Sequence, residues 1–479
     1  MKTFKLLLIT IALLVVTACS ENVMDDINKD RNNALTMSAQ SELPDVILKS
    51  AFETTGTDIA WYATVYIEHS AGTWAQSSDA DKRVGQKDAA LFNNNWVSLY
   101  DVMSILNDML TKTDPVSGTE VNPYAHGIAQ ILTAYNLAVT TDMWGQIPWT
   151  EALKGAANLQ PVYDNQSTIY PKIIQLLDDG IATLNTVTTF SVVGDYIYGG
   201  SSATAVAKWI KAANSLKARY CLRLTNVDNT ASTKALAAIA AGGFASAADN
   251  FVFAKYQATA TGENPWYQFL NDRTHLSVSK TLYDIMNARS DPRIPAYFLQ
   301  VGGIYNPAPN GTATQSQGGV YSQSAITANG RTAATPLMTY HELKFIEAEA
   351  KFRTSDATWQ ASLQQAIEAN FVFHGLLLAD GTTYFTTQVV PRLTAGNEIN
   401  ELLTQKYIAF YEAEAIEAYN DYRRVPSFLT LNNPNNLTSG GGFPWRFPYA
   451  SSEVASNSTH VPVIDNFVNK TWWEGGTEK

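Results

Sequence analysis

Six side chains in polar, irregular stretches of this 479-residue sequence have the types needed to hold a weakly polar ligand. Trp74 lies in "HSAGTWAQSSDADKR". Tyr256, Asn264, Trp266, Tyr267 and Arg273 lie in "FVFAKYQATATGENPWYQFLNDRTH". A flat ring stacks on the C–H face of a sugar, while Asn, Gln, Asp or Arg reaches its hydroxyls. A peptide uses the same chemistry with more reliance on backbone partners. Tyr305 and Tyr321, in "GGIYNPAPNGTATQSQGGVYSQS", are further rings of this kind, and Asn271 is a further polar neighbour. Trp74, Trp266 and Tyr267 are the rings expected to stack, because polar loops offer little core to bury them. The competing reading of each is ordinary packing.

No catalytic constellation accompanies these residues. "HELKF" opens like a zinc-protease helix, but Phe345 stands where the second His is required. "DADKRVG" at 79–85 imitates a calcium loop, yet Arg83 occupies a ligand position and the glycine comes late. There is no nucleophile elbow and no phosphate-binding loop, and six scattered histidines make no metal set. No metal or cofactor is expected. A surface glycosidase remains the alternative from another class, since its two carboxylates are normally distant in sequence.

Cys19 carries a different chemistry. Lys2 and Lys5 precede an apolar run, Leu6 to Ala18, that stops at the cysteine. The run is shorter than the roughly 20 residues that span a bilayer and has the proportions of a secretory signal. Val16-Thr17-Ala18-Cys19 resembles a lipobox, in which the thiol becomes the thioether to lipid. Residues 1–18 are thus expected to be a signal peptide. Residues 19–43 are expected to be a lipidated tether, polar and without apolar period. Within it Glu21, Asp25 and Asp26 read either as solvated linker or as a surface-export signal. The net charge of −11 argues against nucleic acid as a partner. With Cys19 lipidated, Cys221 is left alone for a disulfide and is expected in the core of an amphipathic helix.

Residues 44–479 must position these groups, and they read as helix after helix. Leu91, Trp96, Leu99, Val102, Met103, Leu106 and Leu110 form one apolar stripe. Ile173, Ile174, Leu177, Ile181 and Leu184 form another, and Val206, Trp209, Ile210, Ala213, Leu216, Tyr220 and Leu224 a third. Asn122-Pro123 is a cap followed by a first-turn proline. The pattern predicts an all-α body of stacked helical hairpins with no clean repeat period. Residues 243–276, 291–336 and 427–479 are expected to be long aromatic-bearing loops packed on it.

Five fragments in order then resemble the SusD/RagB family of outer-membrane lipoproteins. They are "DMWGQIPWTEAL" (142–153), "TYHELKFIEAEAKFR" (339–353), "QKYIAFYEAEAIEAYNDYRRVP" (405–426), "PWRFPYASSEVASN" (444–457) and "KTWWE" (470–474). Trp149 and Ala450 depart from the usual Tyr and Pro. The resemblance implies a scaffold of four tetratricopeptide-like helix pairs. It also implies a cell-surface protein, anchored to the outer membrane by lipid, that binds glycan or peptide and serves a SusC-like TonB-dependent barrel transporter. Some relatives carry a structural cation, though nothing here marks a ligand set. A ligand-free structural lid on the transporter is a third reading. The shared motifs themselves read as fold-holding: Arg423 and Arg424 are expected to pair with the upstream Glu412, Glu414 and Glu417. Glu349 or Glu347 is expected to pair with Arg353 or another buried base.

Overall fold

The computed structural model describes residues 37–189, 194–200, 202–412, 414–437 and 442–478. The signal peptide, Cys19 and the tether up to residue 36 lie outside the described residues. The first helix, α1 (Ala39–Lys49), is capped by the Ser38 side chain, which accepts from the Ser41 N–H. It buries Leu43, Val46 and Ile47, so the folded body begins about five residues before the boundary expected at 43/44. A short π-helical stretch, Ser50–Thr55, leads into α2 (Asp58–Tyr66). Strand β1 (Ser70–Gly72) and α3 (Ala75–Asp81) follow.

The scaffold then runs through α4 (Asn93–Thr113), α5 (Pro123–Trp144), α6 (Gln166–Asn185), α7 (Ala203–Arg223) and α8 (Ala231–Ala240). Each packs on the next in chain order. The Asn122 side chain accepts from Ala125 N–H at 3.1 Å, and Pro123 stands in the first turn, as its cap signal predicted. The stripes face inward: Trp96, Leu99, Val102, Met103 and Leu106 are buried, as are Ile173 and Leu177, and Trp209 and Leu216. Cys221 is a core residue, its thiol pushed up to about 11 by burial.

Strand β2 (Phe251–Phe253), α9 (Pro265–Arg273), β3 (Leu276–Val278), α10 (Lys280–Asn287) and β4 (Thr335–Met338) make up the less regular part. β1 pairs antiparallel with β3, Ser70 opposite Val278 and Gly72 opposite Leu276; β2 pairs antiparallel with β4. The scaffold resumes with α11 (Tyr340–Arg353), α12 (Trp359–Phe373), α13 (Leu378–Tyr384), α14 (Glu398–Ala409) and α15 (Ala415–Arg424). α11 lies against α7 and α8, pairs with α12 and also meets α14, which closes the stack. The fold is mostly helical, as expected, with the two short ladders pinning the long loops.

The five shared fragments meet in one buried hub. Arg423 on α15 donates to the Asp142 carbonyl at 2.7 Å and the Trp445 carbonyl at 2.8 Å. Its guanidinium lies 4.4 Å from the Tyr419 ring centroid and 4.7 Å from that of Trp473. Arg424 forms a two-pronged pair with Glu349 on α11, at 2.5 and 2.7 Å, and Glu349 also takes Arg353 at 2.7 Å. Gly145 ends α5 at φ +78°, and a Cβ there would stand 2.9 Å from the Arg446 guanidinium. Arg446 in turn donates to Tyr449, whose hydroxyl donates to the Gln146 carbonyl. The expected pairing of Arg423 and Arg424 with Glu412, Glu414 and Glu417 is corrected; the upstream carboxylate that does pair is Asp421, 2.9 Å from Arg424. Glu417 instead takes Arg223 of α7, and Glu414 takes Thr339 and His341. Glu412 and Glu414 lie before α15, and Glu417, within it, stands six and seven residues from the arginines, beyond the three- or four-residue reach of a helical side-chain pair. Carboxylates on neighbouring helices face them instead.

Candidate binding surface

Trp74 is placed by a turn that tolerates no side chain two residues earlier. A Cβ on Gly72 would fall 1.7 Å from the Ser77 carbonyl oxygen, so the chain can fold from β1 straight into α3 only with glycine there. Thr73 is then clamped on both sides: its N–H donates to the His275 carbonyl at 2.9 Å, and its own carbonyl accepts from Ser316 N–H at 2.8 Å. The half-buried Trp74 ring therefore stands on extended backbone (φ −153°, ψ 150°) just beyond the β1–β3 ladder.

The long loop after α10 is stitched across that ladder. Ala308 N–H donates to the Val278 carbonyl and Asn310 Nδ2 to the Ser70 carbonyl. Gly311 N–H donates to Asp81 Oδ2 at 2.7 Å. Asp81 is buried, and burial pushes its carboxyl up to about 7 against the opposing pull of Arg83. Tyr321 packs on Ala71, Ala308 and Ala313, and its hydroxyl accepts from Thr314 N–H at 3.1 Å. The loop is long yet ordered by its own hydrogen bonds, which gives the rim a rigid base.

Arg273, in the last turn of α9, is exposed and flanks the same ladder. Burial raises the Asp58 carboxyl, and the Arg273 charge lowers it. The His275 imidazole is lowered first by burial and then by Arg273. Asp58 opens α2 and, with Trp61, Gln76 and Phe269, lines a narrow crevice. There Trp61 stacks on Phe269 with centroids 3.9 Å apart. The indole N–H of Trp61 has no hydrogen-bond partner among the described residues. The rim thus offers a ring, a guanidinium, a carboxylate and an amide within a short stretch of surface.

Four of the six expected residues are placed differently. Trp266 is 3% exposed: with Phe269 and Leu270 it forms the inward face of α9, at i, i+3 and i+4. Asn264 is 2% exposed. Its side chain caps α9 by accepting from Tyr267 N–H at 3.1 Å and donates to the Ala333 carbonyl at 3.0 Å. Both are corrected from ligand contacts to structural residues, because what reads as loop is a nine-residue helix with an Asn-Pro start. Tyr267 is half-buried on that helix. Tyr256 is elsewhere, in a groove of about 780 Å³ beyond the N-terminal end of α9. Phe52, Tyr196 and Phe253 line it too. Trp61 and Asp58 carry no loop signature in the sequence because they sit on α2.

A family model described as "Starch-binding associating with outer membrane", SusD-like, matches residues 32–450. No curated protein matches the chain. Among solved structures, a SusD/RagB family protein from Bacteroides thetaiotaomicron is 30% identical with a TM-score of 0.83; the match covers 92% of this chain and 100% of that one. A SusD-like protein from the same organism is 21% identical, with 92% and 100% covered and a TM-score of 0.75. A chitin-binding SusD homolog from Flavobacterium johnsoniae is 21% identical, with 91% and 98% covered and a TM-score of 0.74. No helix among the described residues is long and apolar enough to cross a membrane. A match over most of the sequence and a 30% identical structure spanned end to end agree with the motif order and the helical stack: this chain belongs to the SusD-like family.

Proposed function

We propose that this protein is a cell-surface lipoprotein that captures glycan chains and passes them to a TonB-dependent barrel transporter without altering them. Cys19 is its lipid anchor, residues 1–18 its cleaved signal, and the outer membrane its location. The observation that carries the reading is the Trp74 rim: a half-exposed indole on backbone clamped at Thr73 by His275 and the Ser316 loop, two residues before Gln76, which lines a crevice with Asp58. A ring carried on a fixed backbone leaves less chain to order when a sugar stacks on it. The family description and the chitin-binding neighbour favour glycan over peptide. Binding without turnover fits a surface whose parts suit stacking and hydrogen bonding, with Asp58 beside the cationic Arg273 rather than beside a second carboxylate.

The test is affinity electrophoresis of the full-length protein through gels of soluble starch, glycol chitin or no polymer, with a peptide mixture offered as competitor. Retention by a polysaccharide gel is expected. Trp74→Ala should weaken it about tenfold, the equivalent of about 1.4 kcal/mol. No reducing ends should appear on prolonged incubation. Their release would favour the glycosidase. Absence of retention, with the transporter still co-purifying, would favour the structural lid.

A further inference from the structure

The groove that holds Tyr256 is separate from the Trp74 rim. Gly262 and Glu263 border it just before α9, whereas the rim begins where α9 ends. Nine helical residues, about 13 Å of rise, lie between. One wall is α1 and the π-helical stretch, with Pro44, Leu48 and Phe52; the other is the segment after β2, with Phe253 as floor. Tyr256 is fixed in place: its hydroxyl bonds to Thr335 Oγ1 at 2.9 Å, and its ring meets Phe253 edge-on with centroids 4.8 Å apart. Tyr196 also lines the groove, with 44% of its surface exposed.

The charges decide what such a groove takes. Lys49 is held by Asp101 at 2.6 Å and lies 3.9 Å from Glu53, and Glu263 is held by Arg331 at 2.7 Å. Asp45 and Lys255 also line it. Among the described residues, neither makes a hydrogen bond or an ion pair. Asp45 and Lys255 therefore remain as an acceptor and a donor, and because Glu53 shares Lys49 with Asp101 the groove as a whole carries one surplus negative charge. An anionic ligand is opposed by that surplus, an apolar one would leave Asp45 and Lys255 dry and unpaired, and a neutral polyhydroxylated one uses both while its C–H faces cover the rings. The volume lies within the usual range of ligand sites.

We propose that this groove is a second, independent glycan site, with Tyr196 and Tyr256 as its stacking rings and Asp45 and Lys255 as its hydrogen-bonding groups. The inference rests on the glycan-binding reading above but not on Trp74. The test runs the full-length protein through soluble-starch and glycol-chitin gels as wild type, Trp74→Ala, Tyr196→Ala, Tyr196→Ala with Tyr256→Ala, and the triple variant. Tyr196 is exposed, so its single variant leaves the fold intact if loss of Tyr256 does not. Trp74→Ala is expected to keep a measurable part of the retention, each groove variant to lose several-fold, and the triple variant to migrate as in a plain gel. Groove variants that match wild type, or a Trp74→Ala that alone abolishes retention, overturn the second site and leave the first standing. Loss of retention in the groove variants with Trp74→Ala unchanged supports the groove and removes the rim from the function. Failure of the wild type in both gels removes both.

Discussion

Glu349 shows what the shared motifs do at the level of single side chains. It is fully buried, its carboxylate is held well below the ordinary range chiefly by Arg424 and then Arg353, and it joins α11 to α15. Cutting one partner of a buried pair leaves the other charge uncompensated, which costs about 3–5 kcal/mol. Glu349→Gln is therefore expected to lose stability on that order in urea unfolding. Glu349→Leu combined with Arg424→Met should recover most of the loss, because both charges then leave the interior together. Neither change touches the rim, so glycan retention by whatever fraction stays folded should be unaltered. Asn264→Ala makes the complementary case. Loss of the α9 cap is expected to cost about 1 kcal/mol with no change in retention per folded molecule. An effect on retention as large as that of Trp74→Ala would restore Asn264 to the ligand contacts from which its burial has removed it.

At the level of helices and loops, the break between α14 and α15 is the informative feature. The sequence from Asn397 to Arg424 reads as one long helix, yet Glu412 adopts φ +63° and the chain turns. A non-glycine residue in that region is strained by about 1 kcal/mol, so Glu412→Gly is expected to raise the midpoint of thermal unfolding slightly rather than lower it. The break is invisible in the periodicity because it is imposed by packing: Glu417 must reach Arg223 and Arg424 must reach Glu349. The long amphipathic stretches were legible for the opposite reason, since one apolar face is enough to declare a helix. α9 was legible in principle. Its Asn264-Pro265 start repeats the Asn122-Pro123 signal that located α5, but nine residues in a Gly- and Thr-rich neighbourhood hide the stripe of Trp266, Phe269 and Leu270. Missing that helix is what turned a core tryptophan into an expected ligand contact. Trp74 differs because no stripe passes through "AGTWAQ" to bury it. Asp58 and Trp61 were hidden in the other direction: α2 is so apolar that its one wet edge leaves no mark in the sequence.

At the scale of the whole molecule, buried acids of two kinds set the response to pH. Asp81 and Glu474 are each pushed up to about 7, mainly by burial. Such groups favour the folded state while protonated. Their contribution is fully present below the ordinary carboxyl pKa of about 4 and is lost as the pH rises through about 7. Glu349, and Glu417 at about 2, are held down, chiefly by Arg424 and Arg223 respectively. Their contribution is present above about 4.5 and is lost as the pH falls through their folded values. The two sets together place the stability maximum at mildly acidic pH, near 4–5, with a decline on each side. Thermal midpoints measured from pH 3 to pH 9 are expected to show that dome. Asp81→Asn should flatten the limb between pH 5 and 7, because the amide stays neutral where the carboxyl must ionise. Asp81 also anchors Gly311 and Asn310, and through them the loop that braces Trp74. Both groups donate to the carboxylate, so these two bonds favour its ionised form and pull against burial: ionisation costs the fold desolvation but tightens the anchor of the rim. Glycan retention per folded wild-type molecule should hold or rise from pH 5 to pH 8, while that of Asp81→Asn, whose amide has only one accepting oxygen, should lie lower and stay level. A retention profile identical in the two proteins would cut the link between the buried carboxyl and the binding surface.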